Sequence, residues 1–193
     1  MVIIFLISLI LIIFCHEFAH LIVAKKCGCG VDIFSIGFGR PLYRKEYKGT
    51  IYQISWILLG GFCKLTDELK VSNEPTAFTN LPYRKKLAIA FAGVTTNIIM
   101  GLIAIGLGKL FLCWNLLYFG LISVVLGITN ILPLAPCLDG GYVIWMPIYI
   151  KVWGKEKGTI KFAIANRISF IILMTLNVLC IPYIIYIVKN GGL

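Results

Sequence analysis

Residues 2–24 read VIIFLISLILIIFCHEFAHLIVA, an apolar run that contains the pattern HEFAH at positions 16–20. Residues four apart on a helix share a face, so His16 and His20 can direct two imidazole nitrogens at one zinc ion. Glu17 can accept a proton from a metal-bound water. The chain has no other histidine, and such groups are costly in a membrane span unless they are paired or bind a metal. The pattern predicts a metallohydrolase within the bilayer, with a chance match as the alternative.

The composition is that of a membrane protein. The 193 residues are 60% hydrophobic and 13% charged, with a mean hydropathy of +0.94. Four apolar runs, at about 2–24, 87–108, 110–134 and 164–188, are long enough to cross about 30 Å of hydrocarbon. The first run lacks a basic n-region and a cleavage site, so we expect a retained span. We predict an α-helical polytopic membrane protein with four transmembrane helices, in which residues 1–193 form a single core.

The positive charge of the chain is distributed unevenly. The net charge is +10, and 11 of the 18 Lys and Arg residues lie at positions 25–86, with five more at 151–167. By the positive-inside rule, both segments are cytoplasmic and both termini are external. This pattern predicts a multi-pass protein of a cell membrane, such as a bacterial inner or plasma membrane. A nucleic-acid-binding surface is the weaker reading because no such motif accompanies the charge, so we expect no nucleic-acid partner.

The segment between the first two spans differs from them in composition. Residues 31–65 are rich in β-forming residues, with Lys48 and Gly49 placed to form a turn. We predict a small membrane-associated β-sheet between helices 1 and 2. One of its edges could pair with an extended substrate backbone, although a purely structural hairpin is the simpler alternative. Residues 66–81 are polar and are expected to form an exposed cytoplasmic loop.

A third metal ligand is needed because a catalytic zinc usually has three protein ligands and a water. Outside the two basic segments, the only acidic residue besides Glu17 is Asp139. It lies in the sequence NILPLAPCLDGG at 130–141, where Pro133 and Pro136 break the third span. Irregular backbone at membrane depth is tolerated where it lines a cavity. Asp139 is therefore the candidate ligand, and a carboxylate that only stabilises the turn is the alternative.

The predicted orientation places these ligands at compatible depths. His20 lies five residues before Lys25, about 7.5 Å along the helix from the cytoplasmic boundary. Asp139 follows the cytoplasmic end of the third span. We therefore expect the active site to lie toward the cytoplasm. For Asn130, a helix-packing hydrogen bond and a role at the site are both open.

Several segments together resemble the site-2 protease family of intramembrane zinc metalloproteases, and most closely its bacterial regulator-of-sigma-E type. The resemblance rests on HEFAH at 16–20, SIGFG at 35–39, LGGFCK at 59–64, and NILP with LDGG within 130–141. Ala92-Gly93 with Asn97 also resembles the family's A-G-P-x-x-N, with Val94 in place of proline.

The resemblance implies a function and a set of site residues. It implies one zinc per chain, held by His16, His20 and Asp139, with Glu17 as the general base and Asn130 near the substrate. It implies hydrolysis of peptide bonds in transmembrane segments, with the substrate added as a strand to the sheet. By analogy, the substrate is a single-span membrane protein such as an anti-sigma factor, a sigma-factor precursor or a signal-peptide remnant.

Two other functions are weighed against this one. The PDZ modules that many relatives carry between the second and third spans are missing, so the chain resembles a catalytic core. A proteolytically inactive scaffold or chaperone that retains the fold is the main alternative, but it would not need the costly carboxylate of Glu17. A zinc transporter would require polar residues along several spans, and these are absent.

Overall fold

The computed structural model describes residues 2–189. Within this range the chain forms five α-helices and a two-stranded antiparallel sheet. Met1 and residues 190–193, and with them both chain ends that we expect to be external, lie outside the described residues. The elements in chain order are α1 (Val2–Lys26), β1 (Val31–Tyr47), β2 (Thr50–Leu65), a short 3-10 turn (Phe78–Asn80), α2 (Tyr83–Leu110), α3 (Trp114–Ile131), α4 (Asp139–Trp153) and α5 (Lys155–Lys189).

Over residues 2–189, four helices are long and apolar enough to cross a membrane, and they confirm the predicted fold class of a polytopic helical protein with a small sheet between its first two spans. The second helix begins at Tyr83 and the fourth membrane helix at Lys155, both earlier than the apolar runs. Polar residues extend each helix beyond its apolar part, and hydropathy cannot detect such extensions. The candidate spans are Ile4–Lys26, Tyr83–Leu110, Trp114–Ile131 and Lys155–Leu176.

Helix α4 was not predicted from the sequence. This helix has 15 residues, includes Pro147 and, at 1.5 Å per residue, is about 22 Å long, which is too short to cross the hydrocarbon core. Gly154 separates it from α5 and has a φ of +80°, a conformation that glycine adopts without steric cost. The chain therefore turns sharply after α4 before it enters the last membrane helix.

The sheet is one hairpin that folds back on itself. Residues 33–36 of β1 have register partners in two portions of β2, at 61–64 and at 51–54. The register shifts in the middle of β1, where Gly37 and Gly39 have φ values of +87° and +86°. These glycines let β1 bend, so that its first half lies between the two portions of β2 and its second half extends outward.

The hairpin turn forms where the sequence predicts it. Lys48 and Gly49 connect β1 to β2 with φ values of +49° and +72°, as expected for a tight hairpin turn. The second half of β1 is exposed, whereas its first half packs on α1. The buried cluster beneath it comprises Leu21, Ala24, Cys29, Val31, Phe34, Leu65, Phe78 and Ile89.

Helix α2 is packed tightly against α3. A Cβ atom at Gly101 would lie 2.7 Å from the carbonyl oxygen of Gly120, and one at Gly120 would lie 2.6 Å from the carbonyl oxygen of Gly101. Small residues of this kind let membrane helices approach closely. Ser123 Oγ also donates a hydrogen bond of 2.7 Å to the carbonyl oxygen of Asn97. Only residues 111–113 connect the two helices, so no domain is inserted at this point.

Candidate metal centre

Helix α1 places His16 and His20 one turn apart on the face that packs against α2. Both side chains are buried, with 6% and 7% of their surface exposed. Gly93 of α2 lies opposite them. A Cβ atom there would lie 2.6 Å from His16 Nε2 and would overlap His20 Nε2. The absence of a side chain at Gly93 therefore makes the space that the two imidazole rings occupy.

Helix α4 brings the third predicted ligand to the two histidines. Asp139 Oδ2 lies 3.1 Å from His16 Nε2 and 3.4 Å from His20 Nε2, and the two Nε2 atoms are 3.2 Å apart. Zinc–ligand bonds of about 2.0–2.1 Å in a tetrahedral arrangement put neighbouring ligand atoms about 3.3 Å apart. The triangle of Nε2, Nε2 and Oδ2 atoms therefore has the dimensions of one face of a zinc coordination sphere.

The hydrogen bonds around these atoms also fit a metal. His20 Nδ1 donates to the carbonyl oxygen of Ile89 at 2.7 Å, so its Nε2 keeps a free lone pair. Asp139 Oδ2 is buried without a hydrogen-bond partner although two nitrogens are close. Electron-rich atoms that face one another in a buried site repel unless a cation lies between them. Two imidazoles and a carboxylate are suitable zinc ligands, so the residues present fit zinc.

The start of α4 determines where Asp139 lies. Cβ atoms at Gly140 and Gly141 would overlap the carbonyl oxygens of Ile131 and Ala135, respectively. The first turn of α4 therefore sits directly on the end of α3 and on the irregular segment that follows it. Glycine at these two positions permits this approach, and it carries the Asp139 carboxylate toward α1.

A cavity of about 310 Å³ adjoins the metal site. Glu17, His20 and Asp139 line it, together with residues 61–65 at the end of β2. A Cβ atom at Gly61 would lie 3.0 Å from Glu17 Cγ, so the predicted general base lies against this part of the sheet. The candidate proton acceptor, two candidate ligands and a length of strand thus share one space.

Glu68 also lines this cavity, a position that was not predicted from the sequence. The loop that carries it is not simply exposed, as expected, because the Tyr142 hydroxyl donates a hydrogen bond of 2.9 Å to the carbonyl oxygen of Glu68. Burial raises the pKa of Glu68 from its ordinary value of 4.5 to about 7, and the carboxylates of Asp139 and Glu17 add to this rise. No local pattern distinguishes Glu68 from the other acidic residues of its loop.

The structure does not bring Asn130 into the same space. Asn130 is half-buried near the end of α3 and is not among the residues that line the cavity. Asn166 of α5 lines it instead, and its Nδ2 lies 3.5 Å from the carbonyl oxygen of Pro136. A role for Asn130 near the substrate stays a prediction from the resemblance alone.

Comparison with known proteins gives concordant results. The family model for peptidase family M50 matches residues 4–114, a range that includes the HEFAH pattern and Gly93 but ends before Asp139. The chain is similar to the regulator of sigma-E protease RseP of Escherichia coli K12, with 41% identity over 105 residues, and to protease RseP of Yersinia pestis, with 38% identity over 105 residues. Each match covers 52% of this chain and 23% of the relative, so the chain corresponds to about a quarter of these relatives' length.

The contact at Gly93 leads to a testable prediction. Gly93→Ala would place a methyl group against both imidazole rings, displace them and weaken zinc binding at least about tenfold, as other changes next to metal ligands do. Gly106→Ala is the matched control on α2, because a Cβ at Gly106 would meet no atom of the described residues within 4 Å beyond its own stretch of helix. Chelator competition on the two purified variants measures the difference. Equal zinc affinity in both would show that Gly93 does not shape the site.

Proposed function

The chain belongs to peptidase family M50, and from this membership we propose that it is an intramembrane zinc metalloprotease that hydrolyses peptide bonds in transmembrane segments of single-span membrane proteins. The membership confirms the resemblance to the site-2 protease family. The observation that carries the proposal is the triangle of donor atoms from His16, His20 and Asp139, with Glu17 in the adjoining cavity. We also propose that the described helices and the hairpin together form a single catalytic core.

The proposed reaction uses two kinds of group. His16, His20 and Asp139 would hold zinc, which would supply a Lewis acid for polarising the scissile carbonyl and for making a water molecule more acidic. Glu17 accepts the proton that the attacking water loses as its oxygen bonds to the carbonyl carbon. It returns a proton to the amide nitrogen as the C–N bond breaks. The elements of water are thereby divided between a new carboxyl group and a new amine.

The end of β2 is the part of the sheet best placed to bind a substrate backbone. Residues 61–64 pair with 33–36 on one side, and residues 61–65 line the cavity beside Glu17. An extended peptide can add to a sheet edge through main-chain hydrogen bonds. A substrate helix must first unwind, because its carbonyl groups are already hydrogen-bonded. We therefore propose that the unwound substrate lies along 61–65.

The metal and the proton acceptor can be tested separately. Purified protein should hold about one zinc per chain, and His16→Ala, His20→Ala and Asp139→Ala should each lower its zinc affinity. Glu17→Gln should keep zinc and lose cleavage, because its role is proton transfer and not ligation. Zinc analysis is combined with co-expression of candidate single-span substrates, such as an anti-sigma factor, a sigma-factor precursor and a signal-peptide remnant. Full activity in Glu17→Gln would exclude the proposed mechanism. Full zinc binding in Asp139→Ala would show that Asp139 is not a zinc ligand.

The substrate-binding edge has its own test. Proline substitutions over positions 62–64 should reduce cleavage without reducing zinc content, because proline removes a main-chain donor from the strand. The same substitutions over positions 43–45, in the exposed second half of β1, provide the control and should preserve cleavage. Cleavage rate and zinc content are measured for both sets. An equal loss of cleavage in both sets would indicate that the hairpin has a purely structural role.

We further propose that the zinc site lies toward the cytoplasm. Basic residues concentrate at 25–86 and 151–167, and the positive-inside rule places both segments in the cytoplasm. On a cysteine-free background, Asn73→Cys should react with an impermeant thiol reagent only from the cytoplasmic side, and Leu112→Cys only from the opposite side. Both positions are exposed, Leu112 at 85%. The reverse labelling pattern would place the site near the external face.

A further inference from the structure

Helix α2 presents Ile89, Gly93 and Asn97 at intervals of four residues, and therefore on one face. The first two already serve the histidines of α1. The carbonyl oxygen of Ile89 accepts the Nδ1 hydrogen bond of His20, and Gly93 provides the space for both rings. The third, Asn97, has only 2% of its surface exposed. A polar side chain buried on this face needs a partner.

Asn97 and His16 each have a buried polar atom without a partner. Among the residues that the structure describes, none donates a hydrogen bond to Asn97 Oδ1 and none bonds to His16 Nδ1. Leaving such a group unpaired in a buried site is destabilising. One atom is an amide acceptor, and the other is an imidazole nitrogen that can carry a proton. The two unpaired groups are chemically complementary.

The direction of the helices places them at the same level. His20 bonds to Ile89, and a Cβ at Gly93, one turn further along α2, would contact Cε1 and Nε2 of His16 at 2.6 Å. Helices α1 and α2 are therefore antiparallel here. One turn toward the N-terminus of α1 lies beside one turn toward the C-terminus of α2. Asn97 is the next residue of this face beyond Gly93, and its Cβ also lies 3.3 Å from the position that a Cβ at Gly127 of α3 would take.

The two atoms are not hydrogen-bonded to each other in the structure, and we propose that Asn97 is the positioning residue for His16, with Asn97 Oδ1 accepting the His16 Nδ1–H hydrogen bond through one bridging water. This bond would hold the proton on Nδ1 and leave the Nε2 lone pair for zinc, as Ile89 does for His20. Partners of this kind fix the tautomer and the ring orientation of metal-binding histidines. The inference rests on the proposed zinc site and adds to it a residue outside the ligand set.

A purely structural role makes the opposite prediction. Asn97 also lies at the contact with α3, where its carbonyl oxygen accepts a hydrogen bond from Ser123. If the side chain served only helix packing, replacing it with leucine would remove an unpaired buried group. The stability of the metal-free protein would then stay equal or rise, and zinc affinity would not change.

The test measures zinc affinity by chelator competition and, separately, the thermal midpoint of the metal-free protein. Asn97→Leu and Asn97→Ala should bind zinc about 10–100-fold more weakly than the wild type. Asn97→Asp, which keeps an acceptor, should retain zinc affinity. Ser123→Ala removes the α2–α3 hydrogen bond at the same level and is the control that should bind zinc as the wild type does.

The outcomes separate the two proposals. Wild-type zinc affinity in a folded Asn97→Leu or Asn97→Ala variant would overturn the role of Asn97 while leaving the metal site intact. Equal zinc losses in Asn97→Asp and Asn97→Leu would also overturn it, because the acceptor would then be irrelevant. A wild-type protein that binds no zinc would instead refute the proposed function. If Asn97→Leu does not fold, the comparison of Asn97→Ala with Asn97→Asp decides.

Discussion

The close approach of α1 and α2 at Gly93 brings two imidazole rings into an apolar helix bundle, and the candidate site is built around this contact. Polar groups there must be satisfied within the protein because lipid offers no partners. The Ile89 carbonyl oxygen accepts the hydrogen bond of His20 Nδ1. The Nε2 atoms of His16 and His20 lie near Asp139. The glycine contact between Gly101 and Gly120 holds α2 against α3, so α2 is supported from its other side.

The carboxylate reaches the histidines through a part of the chain that does not cross the membrane as a helix. Helix α3 ends at Ile131, and α4 begins at Asp139. Pro133 and Pro136 lie in the irregular segment between these helices, and the glycines after Asp139 let the chain pack on itself. Such backbone is compatible with membrane depth only where protein or a cavity surrounds it. Cys137 and Leu138 at the end of this segment line the cavity beside Glu17, whereas residues 132–134 are exposed.

Local rules account for much of the agreement between sequence and structure. The apolar runs, the face shared by His16 and His20, and the Lys48–Gly49 turn depend on neighbours in sequence, and all three are present in the structure. Residues brought together by tertiary packing were harder to predict. Asp139 could be nominated because acidic residues are scarce in the spans, whereas Glu68 shares its loop with Asp67 and Glu74.

The remaining differences have specific physical reasons. Helix α4 combines a glycine-rich start with an internal proline, both unfavourable for helices in isolation, so its formation depends on packing. Gly93 could be noted as a small residue in a span, but its position opposite two imidazoles depends on how α1 and α2 cross. Asn130 was assigned a role near the substrate by resemblance alone. It lies near the end of α3 and is not among the residues that line the cavity.

The separation of the site residues along the chain also has a consequence for biosynthesis. His20 and the residue that accepts its hydrogen bond are 69 positions apart, and Asp139 is translated only after the third membrane helix. At about 5–20 residues per second, the ribosome needs on the order of ten seconds to go from the first histidine to the carboxylate. During that interval α1 holds Glu17 and two imidazoles without the third ligand. The proposed site could therefore hold zinc through all three side chains only late in translation, after most of the membrane helices have been made.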